Sequence, residues 1–134
     1  MQPKKRKHTK EFRGKMRGIA WRGSELTYGD YGLQALDRGW VTAKQIEAAR
    51  RAVVHTTSRK GRVWLKLFPQ KPVTAKSAEV TRGGGKGDVT HYVAVVKPGR
   101  ILMEVGGLTP EISMESLRLA AQKFPMRTRI IKKD

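Results

Sequence analysis

HYVAVVKPGRILMEV (91–105) is the most strongly patterned stretch of the chain, and the fold class turns on it. HYVAVV and ILMEV read as two short strands, and the Pro98-Gly99 pair between them takes the positions a tight turn favours. The expectation is a β-hairpin. Upstream, TRGGGKGD (81–88) has four glycines in eight positions. That leaves too little side chain to pack, so an open loop precedes the first strand.

Further out, RVWLKLF (62–68) alternates as a strand does. Val63, Leu65 and Leu67 share one face and read as its core side; Arg62, Trp64, Lys66 and Phe68 share the other. Pro69 and Pro72 interrupt, and a further short strand is expected over 73–80. Thr42 with Gln45 makes a capping box, which predicts a helix over 43–55 with Ile46, Ala49 and Val53 on one face. Glu47 and Arg51 form an i, i+4 pair on it, with Arg50 at the edge of the apolar face. LTYGDYGLQAL (26–36) reads as a strand or bent pair in which Gly29 and Gly32 permit kinks or close backbone approach. On the other side, Thr109-Pro110-Glu111 starts a second helix with the stripe Met114, Leu117, Ala120, Ala121 and Phe124, stopped by Pro125. A last strand is expected over 126–131. The sum is an α+β fold: a mostly antiparallel sheet with two helices, plus an extended basic N-terminal arm and a Gly-rich loop.

Charge supplies the functional signal. The 134 residues include 29 Lys+Arg against 11 Asp+Glu, a formal net charge of +18. Residues 1–24 hold Lys4, Lys5, Arg6, Lys7, Lys10, Arg13, Lys15, Arg17 and Arg22 against Glu11 alone, with almost no apolar residues. Such a segment cannot offset its ordering entropy by burial, so 1–24 is expected to be an arm, disordered unless RNA-bound, and 25–134 a single domain. From Ala48 to Ala78 there are eight more cations and no acid. The field asks for an anionic partner, and nucleic acid fits it better than membrane: the arm shows no amphipathic face and Gln2 excludes a myristoylation signal. No apolar run approaches the roughly 18 residues of a membrane span. No secretory leader is evident, and zero cysteines exclude disulfides and thiolate chemistry. A soluble intracellular chain is expected.

Catalytic signals are weak. His8, His55 and His91 have no metal-ligand spacing, and no Gly-x-Ser-x-Gly element occurs. The loop Arg82-Gly83-Gly84-Gly85-Lys86-Gly87 differs from a nucleotide-binding P-loop because Lys86 is followed by Gly87 rather than Ser or Thr, and a strand follows rather than a helix. It keeps exposed N–H groups between two cations, a combination suited to a phosphate backbone. Trp21 beside Arg22, and Trp64 between Arg62 and Lys66, place indoles among cations as stacking sites for unpaired bases would. Trp64 has an equal alternative, packing on the stems of its neighbours.

YGDYGLQAL (28–36), VTAKQIEAARRA (41–52), VWLKLFPQKPVTAK (63–76), GKGDV (85–89), YVAVVKPGRILMEV (92–105) and LRLAAQKFP (117–125), together with the opening MQPKKRKHTKEFRGKMRG, closely resemble the bacterial-type large-subunit ribosomal protein number sixteen family. The resemblance covers nearly the whole chain in collinear order. It implies a non-enzymatic α+β component of the large subunit with no cofactor and no small-molecule substrate. It also implies binding to large-subunit rRNA near the peptidyl-transferase region, contact with aminoacyl-site and peptidyl-site tRNA and with neighbouring ribosomal proteins, and a part in late assembly. The location would be a cytoplasmic ribosome, with an organellar one left open. On the charge pattern the rRNA-binding residues would be the arm's nine cations with Trp21, and Arg50, Arg51, Arg59, Lys60, Arg62 and Lys66 in the domain; the resemblance places Arg50 and Arg51 in the family's basic helix. Residues Arg82 to Gly87 would form the tRNA-proximal loop. Where the family usually reads Arg-Met-Gly-Lys-Gly-Lys-Gly, this chain reads Thr81-Arg82-Gly83-Gly84-Gly85-Lys86-Gly87. The change predicts a weaker phosphate grip at the loop tip, and Ser77, where a proline is common, a looser entrance. The rivals are a free-standing RNA- or DNA-binding module or chaperone and, more remotely, a nucleotide-dependent enzyme using the glycine loop.

Overall fold

A computed structural model describes residues 23–75 and 88–134. Along the chain run β1 (Tyr31–Ala35), β2 (Gly39–Thr42), α1 (Ala43–Thr57), β3 (Arg62–Leu65), β4 (Lys71–Ala75), β5 (Asp88–Val96), β6 (Ile101–Gly106), α2 (Pro110–Ala121) and β7 (Thr128–Lys132). The α+β expectation holds, with all strand pairings antiparallel.

Both helices start where their caps are written. Thr42 Oγ1 accepts from Gln45 N at 3.2 Å while Gln45 Oε1 accepts from Thr42 N at 2.9 Å, closing the capping box. Ile46, Ala49 and Val53 are buried as the periodicity requires. The Thr109 hydroxyl accepts from Ile112 N at 3.3 Å, and Pro110 opens α2. The stripe of α2 is rotated from the expected one: Met114 is exposed, and Ser113 and Ser116 are buried with Leu117 and Ala120. The reason is that α2 packs against α1. Small side chains on the buried face of a helix let its neighbours approach closely, and a methionine there would hold them apart.

The hairpin expectation fails, although its turn forms. Arg100 N donates to Lys97 O at 3.2 Å, and Gly99 sits at φ +95°. Proline fixes a negative φ at the first central position, so this is a type II turn. Two-residue hairpins need the primed types, whose twist matches the strands; type II splays them. Accordingly β5 and β6 enter different sheets. β6 lies inside a four-stranded sheet of order β3-β6-β1-β7, and β5 inside a three-stranded sheet of order β2-β5-β4. The turn is held on β1 instead: Gly99 N donates to Ala35 O at 2.8 Å and Ala35 N to Arg100 O at 2.9 Å. β2 has no counterpart in the sequence expectation, since four residues are too few to show a period. The strand expected over 73–80 is β4, which begins earlier, at Lys71, so that Pro72 lies within it opposite Tyr92 instead of interrupting; residues 76–80 lie outside the described residues.

One core joins the two sheets and both helices. It includes Leu33, Met103 and Val105 from the larger sheet, Val41 and Val96 from the smaller, and Ile46, Val53 and Leu117 from the helices. Outside it, residues 24–30 cross the opposite face of the larger sheet. Their approach is close enough that a Cβ on Gly29 would stand 2.6 Å from Val105 O, so the close-approach role expected of that glycine is the one it has.

Candidate nucleic-acid interface

A first cleft, about 1170 Å³, lies at the C-terminal end of α1 and is bordered by β3. The helix ends through Ser58 at φ 53° and Arg59 at φ 63°, and Gly61 at φ 70° turns the chain into β3. Left-handed backbone costs a non-glycine residue about 1 kcal/mol each, so this reversal is imposed by the packing around it. Its effect is to set Arg59 and Lys60, both exposed, beside Arg50 and Arg51 of the preceding turns. Among the described residues, no acidic side chain lines the cleft. Glu47, one turn earlier, binds Arg50 Nε at 3.1 and 3.0 Å and stands 3.4 Å from Arg51 Nε. Arg50, not Arg51, is therefore its main partner, and that hydrogen bond holds the Glu47 carboxyl below the ordinary carboxylate range. Glu47 offsets part of the α1 charge. Arg59 and Lys60 have no carboxylate partner among the described residues.

A second cleft, about 1060 Å³, opens where the two sheets diverge after the type II turn. Tyr28 and Trp64 stack in it with ring centroids 5.9 Å apart and planes 21° off parallel. The Lys66 ammonium lies 4.6 Å from the Tyr28 centroid. Phe68, Lys71 and Arg100 also line it, and Arg100 Nη2 donates to Lys66 O at 2.9 Å. Deeper on the smaller sheet, the Lys71 ammonium sits 4.8 Å from the Trp40 ring.

Glu104 holds this second arrangement together. Register places it opposite Gly32 and Trp64, on the sheet face away from the helices, where residues 24–30 cover it. Its side chain is fully buried, and Oε1 accepts from the backbone N–H of Thr27, Tyr28 and Gly29 at 3.0, 2.9 and 2.9 Å. Oε2 is 3.6 Å from Lys66 Nζ. Burial alone would raise the carboxyl's pKa, but the three donors and Lys66 outweigh it, so the group stays charged below the ordinary range. Sequence reasoning missed both Glu104 and Tyr28. The available signal was an acid inside an otherwise apolar strand, ILMEV.

Of the expected domain residues, Arg50, Arg51, Arg59 and Lys60 meet in the first cleft and Trp64 and Lys66 in the second. Arg62 is exposed at the start of β3, the edge strand that borders both. The strand itself ends at Leu65 rather than Phe68, although Leu67 is still buried; Pro69 could not continue the ladder. The Trp64 ring packs on Tyr28, a neighbour that sequence spacing did not suggest. The cations from Lys4 to Arg22, with Trp21, and the loop from Arg82 to Gly87 lie outside the described residues. Among the described residues, no cluster of His, Asp and Glu could hold a metal ion, and no helix is long and apolar enough to cross a membrane.

Fold and surface together define a strongly basic α+β protein with two cation-bearing clefts. A family model described as ribosomal protein L16p/L10e matches residues 3–131. The chain belongs to that family, which the sequence motifs had already pointed to, and is a structural ribosomal protein of the large subunit acting in translation. Membership brings rRNA and other ribosomal proteins as partners, on a cytoplasmic or organellar ribosome.

Proposed function

We propose that this chain holds large-subunit rRNA mainly through the cleft at the end of α1, using Arg50, Arg51, Arg59 and Lys60, with Arg62 and Lys66 on the adjoining strand. Residues 1–24 would act as a separate basic arm that orders on RNA, joined to a domain of residues 25–134. Arg82 to Lys86, with their glycines, would reach aminoacyl-site and peptidyl-site tRNA near the peptidyl-transferase region, and the chain would support late subunit assembly without catalysing a reaction. The observation that carries the rRNA part is the convergence of four cations from a helix and a strained turn on one cleft that no acidic side chain of the described residues lines. Such a patch repels itself in the free protein and is relieved by phosphates, with release of their counterions.

The test is the salt dependence of binding to a large-subunit rRNA fragment. The double variant Arg59→Ala/Lys60→Ala removes two phosphate contacts, so its log–log salt slope should be shallower by about 1.4 to 1.8. An unchanged slope would place the rRNA elsewhere on the molecule.

A further inference from the structure

Phosphate neutralisation accounts for the cleft at the end of α1, but gives no reason for exposed rings in the other. Tyr28 is 60% and Phe68 44% exposed, where a chain without a partner for them would gain by burying them. Tyr28 is also held rigidly. Its own N–H and those on either side donate to Glu104, and its ring leans on Trp64. A ring fixed in advance loses little freedom when a partner stacks on it. Around it stand Lys66, Lys71 and Arg100, and among the described residues no acidic side chain lines the cleft, the buried Glu104 standing behind Lys66.

We infer that this second cleft takes an unpaired nucleobase from a single-stranded stretch of RNA. Tyr28 is the stacking platform, Trp64 backs it, and the lysines lie where the flanking phosphates run. The inference rests on the RNA-binding reading above and adds a base-contacting site to it. Ring and charge chemistry together select this occupant. An apolar protein segment would use the rings and gain nothing from three cations. A duplex would use the cations but keeps its ring faces stacked inside; a splayed base uses both.

The full chain is titrated with ten-residue oligoadenylate and with an A-form RNA duplex of equal phosphate number, at several salt concentrations. Tyr28→Leu should weaken oligoadenylate binding about tenfold with its salt slope unchanged, and leave duplex binding as it was. Tyr28→Phe keeps the ring and should restore most of the loss. Arg59→Ala/Lys60→Ala should weaken both RNAs and flatten both slopes. Oligoadenylate affinity that survives Tyr28→Leu, while the double variant weakens it, overturns the nucleobase site and leaves the basic cleft standing. Equal losses on both RNAs with Tyr28→Leu also overturn it, because the ring would then be acting through the fold. Insensitivity of both RNAs to the double variant counts against the basic cleft alone.

Discussion

The two clefts flanking β3 are built in opposite ways. The basic one is almost a single run of chain, residues 50 to 61, closed by Val63 and Leu65. It needs only a helix that ends at the right place and a turn that folds back. The aromatic one draws on residues 28, 63–68, 70–71, 93–95 and 100, and exists only because two sheets part at Gly99 and a buried carboxylate pins a crossing segment. A surface that gathers charge can be written locally, because like charges repel and must stay on the outside wherever they fall. A surface that fixes a ring has to be assembled over long distances, because a rigid ring needs walls.

Breaking the aromatic side should therefore cost far more than perturbing the helix that carries the basic one. The largest effect is expected for Glu104→Ala, which strips three buried N–H groups of their acceptor and leaves Lys66 unpaired. Unfolding stability in urea should fall by about 3 kcal/mol. Glu104→Gln should cost less, since its amide oxygen still accepts from the same donors.

The same residue predicts an acid limb. Its folded pKa lies below the ordinary value of 4.5, so its contribution to stability is present above that value. The contribution is lost as the pH falls through the lower folded pKa, where the folded state finally takes up the proton. Urea midpoints followed downward from pH 6 should drop more steeply in the parent chain than in Glu104→Gln. Parallel curves would mean that another carboxylate governs the acid limb.

The smallest effect is expected on the local side. Thr42→Ala removes half of the capping box and should lower stability by about 1 kcal/mol by thermal or urea unfolding. RNA binding by the folded variant should be unchanged, since Arg59 and Lys60 lie at the far end of α1.

The same contrast explains how much was legible. Thr42 with Gln45, and Thr109 with Pro110, marked both helix starts, because a cap needs nothing beyond the three or four residues after it. Ile46, Ala49 and Val53 were readable as a core face for the same local reason. Met114 was misplaced because its exposure depends on which side of α2 meets α1. Turn chemistry did carry the hint that β5 and β6 part: proline at the first central position is incompatible with the hairpin turn types. Within the interface, Arg50, Arg51, Arg59 and Lys60 could be read as a cationic group from spacing, whereas Tyr28 sat in a glycine-rich stretch with nothing nearby to mark it.

The sequence by itself determined the caps, the core face of the first helix, the β-rich remainder and the uneven placement of the net charge of +18, since each depends on propensity or charge over a few neighbouring residues. Only the tertiary structure decided that β5 and β6 belong to different sheets and that Glu104 is buried away from the helices. It also decided that Tyr28 meets Trp64. Those outcomes rest on pairing and burial between residues some 13 to 77 positions apart, where the free energy of a contact depends on what every other segment has already covered.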